Sequence, residues 1–158
     1  MIVMKFATAI NGECGIDQHT QWINLTSVKM GVGRAVSSVG GGKDRESSNP
    51  SLSEVTVTKD MDVASTKLWM QALGGKALGK CEIHWLQQQD NKSKVYLTLE
   101  LEEALISSYG MGSNGERPTE SISLNFTKVS YKYDKWDGDS VTAGDEEKWD
   151  LEKNAEWT

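Results

Sequence analysis

Cysteine and proline are scarce in this chain, and no hydrophobic run is long enough to cross a membrane. Only two cysteines, Cys14 and Cys81, and two prolines occur in 158 residues, which is too few cysteines for a small scaffold held together by disulfides. The apolar start of the chain is interrupted by Lys5 and leads directly into Asn11-Gly12, whereas a membrane-spanning helix needs about 20 apolar residues. We therefore expect neither membrane insertion nor a cleavable secretory signal.

An excess of basic residues is also lacking. Lysine and arginine number 17 and aspartate and glutamate number 23, which gives a net charge of −6. A protein that binds a nucleic acid duplex needs a basic face, so nucleic acid is not an expected partner. The acidic excess is concentrated in residues 134–158, which also contain Trp136, Trp149 and Trp157. Because disordered tails are poor in aromatic residues, we expect this acidic C-terminal segment to dock on the body of a single domain that spans residues 1–158.

Apolar and polar residues alternate with a period of two along much of the chain, which is typical of half-buried antiparallel strands. The clearest runs are residues 95–102 and 122–126. After residue 126 the apolar positions change phase, which predicts a β-bulge near Thr127 and Lys128. Further strands are predicted at residues 2–8, 52–58 and 80–87, with a hairpin turn around residues 90–93. Because bulged strands bend a sheet towards closure, the predicted fold class is mainly β, a small antiparallel β-barrel.

One short helix is predicted to flank this barrel. Its apolar stripe is formed by Leu68, Trp69, Ala72 and Leu73. Ser65 is placed to cap the N-terminus through its hydroxyl, and Gly74-Gly75 provides a left-handed stop. Because two to three helical turns are too few to be stable alone in water, we expect Trp69 and Leu73 to be buried against the barrel.

A long, polar, glycine-rich loop is predicted at residues 37–51. Connections of this length are usually functional or disordered. The loop carries a cluster of alternating charges, Lys43, Asp44, Arg45 and Glu46, and charges of alternating sign suit a contact that sets register between subunits. With Arg34, which precedes the loop, they are the predicted residues of a subunit or ring-stacking interface. The other interpretation is a mobile excursion with no role in assembly.

The sequence contains no motif that is typical of catalysis, cofactor binding or metal binding. The glycines at 40–42 lack the spacing of a phosphate-binding loop, and neither histidine has a serine or cysteine nucleophile within local reach. A Cys2His2 metal site would form only if Cys14 with His19 met Cys81 with His84, and Cys81 and His84 fall on opposite faces of one strand. We therefore expect a protein that is not an enzyme and has no catalytic residues, no cofactor and no metal.

Several short segments in a fixed order carry a resemblance to a known family. They are NGEC (11–14), HTQWI (19–23), VTKDMDVASTKL (57–68), LISS (105–108), PTESISLNF (118–126) and KWDL (148–151), with Val129 and Tyr131. In order, spacing and total length they resemble the haemolysin-coregulated protein (Hcp) family, the tube-forming proteins of bacterial type VI secretion systems. The chain departs from the family pattern at Cys14, where serine is usual, and at Thr66, where proline is frequent. Residues 137–147 are also more acidic than is usual there.

The resemblance implies a small β-barrel with one flanking helix that assembles as a homohexameric ring. The rings would stack into a tube that is expelled from the cell, with a lumen able to hold small effectors. The implied partners are other copies of the chain, other type VI secretion components and effector proteins. The implied location is the bacterial cytoplasm before assembly and the extracellular space afterwards, reached without a cleavable signal peptide.

A second hypothesis, from a different functional class, is a monomeric β-barrel that binds a carbohydrate or another small ligand on exposed tryptophan and tyrosine side chains. The mass in solution distinguishes the two, because a ring favours the tube subunit. A monomer with saturable sugar binding favours the ligand-binding barrel.

Overall fold

The computed structural model describes residues 1–36 and 49–158, which are mainly β with one α-helix. The predicted interface residues Lys43, Asp44, Arg45 and Glu46 lie outside the described residues. The strands are, in chain order, β1 (Ile2–Phe6), β2 (Ile23–Leu25), β3 (Ser27–Lys29), β4 (Val32–Gly33), β5 (Ser51–Leu52), β6 (Val55–Asp60), β7 (Cys81–Gln89), β8 (Lys92–Glu102), β9 (Leu105–Gly112), β10 (Thr119–Asn125), β11 (Lys128–Tyr133), β12 (Lys135–Asp137), β13 (Ser140–Thr142), β14 (Glu146–Asp150) and β15 (Ala155–Glu156). The helix α1 (Ser65–Gly74) lies between β6 and β7.

The strands form two antiparallel sheets and two short ribbons. The larger sheet has seven strands in the order β15-β14-β11-β8-β7-β1-β2, and the smaller has four in the order β3-β6-β10-β9. The ribbons are β4 with β5 and β12 with β13. In the part of the chain that the structure describes, no helix is long and apolar enough to cross a membrane.

The predicted barrel is not closed among residues 1–36 and 49–158. The chain instead passes between the two sheets at corners, where the ladder of strand pairing is interrupted. One corner is Thr26, between β2 and β3, whose amide donates to the carbonyl of Thr58 at 2.8 Å. Another lies between β10 and β11, where the amide of Thr127 donates to the carbonyl of Glu102 at 3.0 Å. The phase change that predicted a bulge at Thr127 and Lys128 therefore marks this corner.

The main hydrophobic core lies between the two sheets. It is built from inward-facing residues of both, among them Met4, Ile23, Val57, Leu99, Ile122 and Leu124. A smaller cluster of Val3, Cys14, Trp22 and Leu86 lies on the opposite face of the larger sheet, because neighbouring strand residues point to opposite faces. The segment before β2 covers this second cluster. Gly12 makes that packing possible, since a Cβ atom there would lie 2.5 Å from the carbonyl oxygen of Trp22.

The hairpin between β7 and β8 confirms the prediction for residues 90–93. Asp90 and Asn91 both have positive φ, 51° and 61°, which is the conformation of a two-residue type I′ turn that matches the twist of the flanking strands. The hairpin forms the centre of the larger sheet, with β1 on one side and β11 on the other.

Helix α1 begins and ends close to the predicted residues but presents a different face to the core. Gly75 adopts φ of 64° and its amide donates to the carbonyl of Gln71, which confirms the predicted stop. Ser65 is not the cap, because the N-cap residue is Ala64 and makes no side-chain cap hydrogen bond. Leu68 is completely buried, whereas Trp69 is 49% exposed and Leu73 is 64% exposed. The prediction that Trp69 and Leu73 are buried is therefore wrong for the single chain, since at 100° per residue they lie beside the buried row rather than in it.

The acidic C-terminal segment extends the larger sheet by two strands. Strand β14 pairs with β11 over Lys128 to Lys132, and β15 pairs with β14. The indole nitrogen of Trp136 donates to the carbonyl of Val95 at 2.9 Å. The ammonium of Lys148 lies 4.8 Å from the ring centre of Trp157. The tryptophans of this segment thus anchor it, which explains their presence in an otherwise polar stretch.

Candidate assembly surfaces

An exposed apolar surface lies along the outer side of helix α1. It consists of Val63, Trp69, Met70 and Leu73, and it is extended by Met111 of the adjacent strand β9. All five side chains are about half exposed or more. Contiguous exposed apolar surface of this kind marks interaction sites in soluble proteins. We call these five residues the helix face.

A groove runs beside the helix face, and the surrounding charge is basic. The groove has a volume of about 370 Å³ and is lined by Met61, Ser65, Thr66, Trp69, Tyr109 and Met111. Lys67 is exposed and lies three residues before Met70, hence beside it on the helix surface. Lys76 is exposed just beyond the end of the helix. No acidic residue occurs between Val63 and Cys81, so the surface combines apolar side chains with positive charge.

A buried polar network fixes the start of the helix to the smaller sheet. Its central group is the ammonium of Lys59, which is fully buried. That nitrogen lies 2.6 Å from Glu120 Oε2, 2.8 Å from Asp62 Oδ1 and 3.0 Å from Ser65 Oγ. The hydroxyl of Tyr109 donates to Glu120 Oε1 at 2.6 Å. Asp62 Oδ1 also accepts from the amide of Ala64 at 2.9 Å, so the network holds β6, β10, β9 and α1 in a fixed relation.

The electrostatics of this network keep its carboxylate charged. Burial by itself raises the pKa of Glu120, but the hydrogen bonds from Lys59 and Tyr109 and the positive charge of Lys59 lower it below its usual value overall. Burial and the adjacent Glu120 raise the pKa of the Tyr109 hydroxyl, which therefore stays protonated and donates. A charged, fully hydrogen-bonded cluster of this kind serves to position the elements that it joins.

A second apolar groove lies where Met30 and Leu52 approach strands β11, β14 and β15 of the larger sheet. Its volume is about 220 Å³, and it is lined by Met30, Leu52, Val129, Tyr131, Glu147, Lys148, Trp149 and Glu156. Met30 directly follows β3, which is the edge strand opposite β9. Glu147 and Glu156 are exposed at the rim, and the ammonium of Lys148 lies 3.5 Å from Glu146. We call these eight residues the edge groove.

The two histidines meet on the outer face of the larger sheet. His19 Nε2 lies 2.9 Å from His84 Nδ1, and Trp22 packs against both rings at 4.6 Å and 4.7 Å between centres. Cys14 belongs to the same small cluster, but Cys81 lies in the main core on the other side of β7. The two Cys-His pairs considered from the sequence therefore do not converge. Within the described ranges no group of three or more histidine, cysteine, aspartate or glutamate side chains could hold a metal ion.

Of the predicted interface residues, Arg34 lies in the described part of the chain and is exposed just after β4. The ribbon of β4 and β5 brings the two ends of the loop together, with Gly33 paired to Ser51, and the amide of Ser53 donates to the carbonyl of Gly31 at 2.9 Å. The ribbon thus holds the two chain segments that flank residues 37–48 together near Met30.

Comparison with known proteins identifies the family. The family model described as "Type VI secretion system effector, Hcp" matches residues 3–133. The chain belongs to this family. Hcp proteins are secreted structural proteins of the type VI secretion tube and are not enzymes, and this description applies to the present chain. The family match confirms the resemblance drawn from the sequence.

Individual relatives agree with the family assignment. Protein hcp1 of Pseudomonas aeruginosa strain PAO1 is 27% identical over 109 residues, which cover 66% of this chain and 67% of that protein. A solved structure entitled "Structure of a type six secretion system protein" is 25% identical and covers 99% of this chain and 98% of its own, with a TM-score of 0.87. The fold is also that of Hcp1 from Salmonella typhimurium, which is 19% identical, with a TM-score of 0.76 over 99% of this chain and 97% of that one.

Proposed function

We propose that this chain assembles as a homohexameric ring and that the rings stack into the tube of a type VI secretion system, with a lumen that carries effector proteins. The family assignment supports the tube, and one structural observation supports assembly through defined surfaces. That observation is the helix face, whose apolar side chains are left exposed in the single chain although Ser65 and Leu68 of the same helix are buried.

The position of the helix face favours a contact between subunits over a sugar-binding platform. Its side chains are mostly aliphatic or thioether, with Trp69 as its one aromatic ring. Burial of such side chains against another protein surface is favourable by roughly 25 cal/mol per Å². The buried network of Lys59 and Glu120 fixes the start of the helix, so the surface is presented rigidly, which reduces the entropy lost on association.

The long loop and its charges are proposed to act in ring stacking. Arg34 at the base of the ribbon and Lys43, Asp44, Arg45 and Glu46 in the loop supply charges of both signs. Exposed charge pairs contribute at most about 1 kcal/mol each, so their role is to set the register between rings. The other proposed partners are further type VI secretion components and effectors. The chain is proposed to fold in the bacterial cytoplasm and to leave the cell as part of the secreted tube.

The mass of the protein in solution tests the proposal. We expect light scattering at micromolar protein to give six times the subunit mass. We expect electron microscopy to show rings with a central opening. A monomer at all accessible concentrations contradicts the proposal, and a monomer that binds a sugar saturably supports the ligand-binding alternative.

A further inference from the structure

Two unlike apolar surfaces lie at different places on the subunit. The helix face lies at the β9 edge of the smaller sheet, where α1 packs, whereas the edge groove lies between Met30, beyond the β3 edge of that sheet, and strands β11, β14 and β15 of the larger sheet. Val129 is buried in this groove, and Met30 and Tyr131 are exposed there. A ring is built from head-to-tail contacts in which one patch of a subunit meets a different patch of the next. Two complementary surfaces at different places on the subunit satisfy this requirement.

The charges around the two surfaces are of opposite sign. The helix face is flanked by Lys67 and Lys76, and no acidic residue lies between Val63 and Cys81. The edge groove carries Glu147 and Glu156 at its rim. Four of its eight lining residues belong to the C-terminal segment 134–158, which accounts for the whole net charge of the protein. Apolar cores with complementary charged rims are the usual anatomy of specific interfaces.

Self-pairing of either surface is disfavoured by the same charges. A contact between two helix faces brings Lys67 and Lys76 of one copy towards those of the other, and a contact between two edge grooves brings glutamates together. Like charges placed opposite each other are repulsive. Such contacts are also two-fold and give a dimer rather than a closed ring.

We propose that the helix face of one copy docks on the edge groove of the next copy, with Lys67 and Lys76 of the first facing Glu147 and Glu156 of the second. This inference rests on the proposed ring assembly and specifies the surfaces that form it. Trp69 and Met70 then cover Met30 and Tyr131, and the lysines and glutamates form the rim.

Reciprocal charge reversal tests this pairing. The variants are Lys67→Glu with Lys76→Glu, Glu147→Lys with Glu156→Lys, and the combination of all four. Loss of one exposed pair weakens a contact by roughly fivefold. We therefore expect each two-site variant to raise the protein concentration for half assembly by about tenfold or more. The four-site variant should return it to within about threefold of the unmodified chain.

Matched controls carry the same charge changes away from both surfaces. Lys92 and Asp17 are exposed around a different cavity beside the β7–β8 hairpin, so Lys92→Glu and Asp17→Lys should leave assembly unchanged. Because all substituted residues are exposed, the substitutions should leave the subunit folded. Thermal melting of every variant checks this.

The outcomes separate this inference from the proposed function. Rings in the unmodified chain that are indifferent to the reversals overturn the pairing and leave the ring intact as a proposal. Reversals that weaken assembly without rescue in the four-site variant show that these residues face other charges, and they also overturn it. A monomeric unmodified chain overturns the ring assembly itself. Weakening followed by rescue establishes the pairing.

Discussion

His19 Nε2 and His84 Nδ1 lie 2.9 Å apart although 65 residues separate them in the chain. His19 comes from the segment that covers the outer face of the larger sheet, and His84 comes from its central strand β7. Their hydrogen bond requires that one ring donates and the other accepts, which two neutral imidazoles can do and two imidazolium ions cannot. The pair therefore joins the covering segment to the sheet in a manner that depends on protonation.

Stability is expected to fall in mild acid because of His84. Burial first, and then the neighbouring His19, lower the pKa of His84 from 6.5 to about 4, with Lys5 acting in the same direction and Glu100 against it. Between these two values the unfolded chain binds a proton that the folded chain does not, so the free energy of unfolding decreases as the pH falls from 6.5 towards 4. After allowance for partial exposure, the expected loss is about 1 to 2 kcal/mol.

Urea unfolding at several pH values measures this loss, with His84→Gln as the control. The variant should show a flatter dependence between pH 6.5 and 5, whatever its absolute stability. An equal slope in both proteins would assign the effect to other groups.

Removal of the buried cation Lys59 is expected to be severely destabilising. Lys59→Met leaves the carboxylate of Glu120 buried and without its partner, which costs about 3 to 5 kcal/mol. Replacement of both residues, Lys59→Met with Glu120→Leu, should recover much of this loss because no uncompensated charge remains. Chemical denaturation of the single and double variants measures the free energy of unfolding of each. A double variant that is no more stable than Lys59→Met would show that the network, and not the isolated charge, determines stability.

Leu68 and Trp69 are neighbours in helix α1 with opposite surroundings. Leu68 is fully buried, so Leu68→Ala should cost about 2 to 5 kcal/mol. Trp69 is half exposed, so Trp69→Ala should cost about 1 kcal/mol or less in the monomer and should weaken ring formation. Denaturation and light scattering on both variants separate folding from assembly. A Trp69→Ala chain that assembles normally would exclude the helix face from the interface.

Shortening of the long loop is expected to affect assembly more than folding. A chain in which residues 37–48 are replaced by a short glycine-serine linker keeps the ribbon of β4 and β5 that closes the base. Its melting temperature should be close to that of the unmodified chain, while tube formation should be weakened. As a control, a loop of natural length with Lys43, Asp44, Arg45 and Glu46 replaced by serine isolates the contribution of charge. A collapse of the melting temperature would show that the loop belongs to the core.

The sequence predicts single elements well because their signals are local. Period-two alternation locates the β7–β8 hairpin, and Gly75 locates the end of the helix. The order of strands in the two sheets has no such signal, since it depends on register between distant segments. This is why the expected closed barrel differs from the two sheets joined at corners.

The buried pair of Lys59 and Glu120 could have been predicted from strand periodicity. In β6, Val55, Val57 and Lys59 occupy alternate positions, and in β10 Glu120, Ile122 and Leu124 do the same. Each run therefore has a charged residue at one end of its core face, Lys59 in β6 and Glu120 in β10. Two such residues of opposite sign predict a buried ion pair. Helix α1 shows the converse case, because its apolar stripe is wider than the row that packs on the core, and the remaining apolar residues form the proposed assembly surface. The meeting of His19 with His84 had no local signal.

The interior position of β1 in the larger sheet has a consequence for the order of folding. Strand β1 is held between β2 and β7, with Phe6 opposite Cys81 and Met4 opposite both Ile23 and Ile83. During synthesis, β1 can therefore find its second neighbour only after residues 7–80 have been made. Contacts that span such separations slow folding, and an apolar strand left waiting is prone to aggregation. The β7–β8 hairpin, closed by a two-residue turn, is the expected template on which β1 docks.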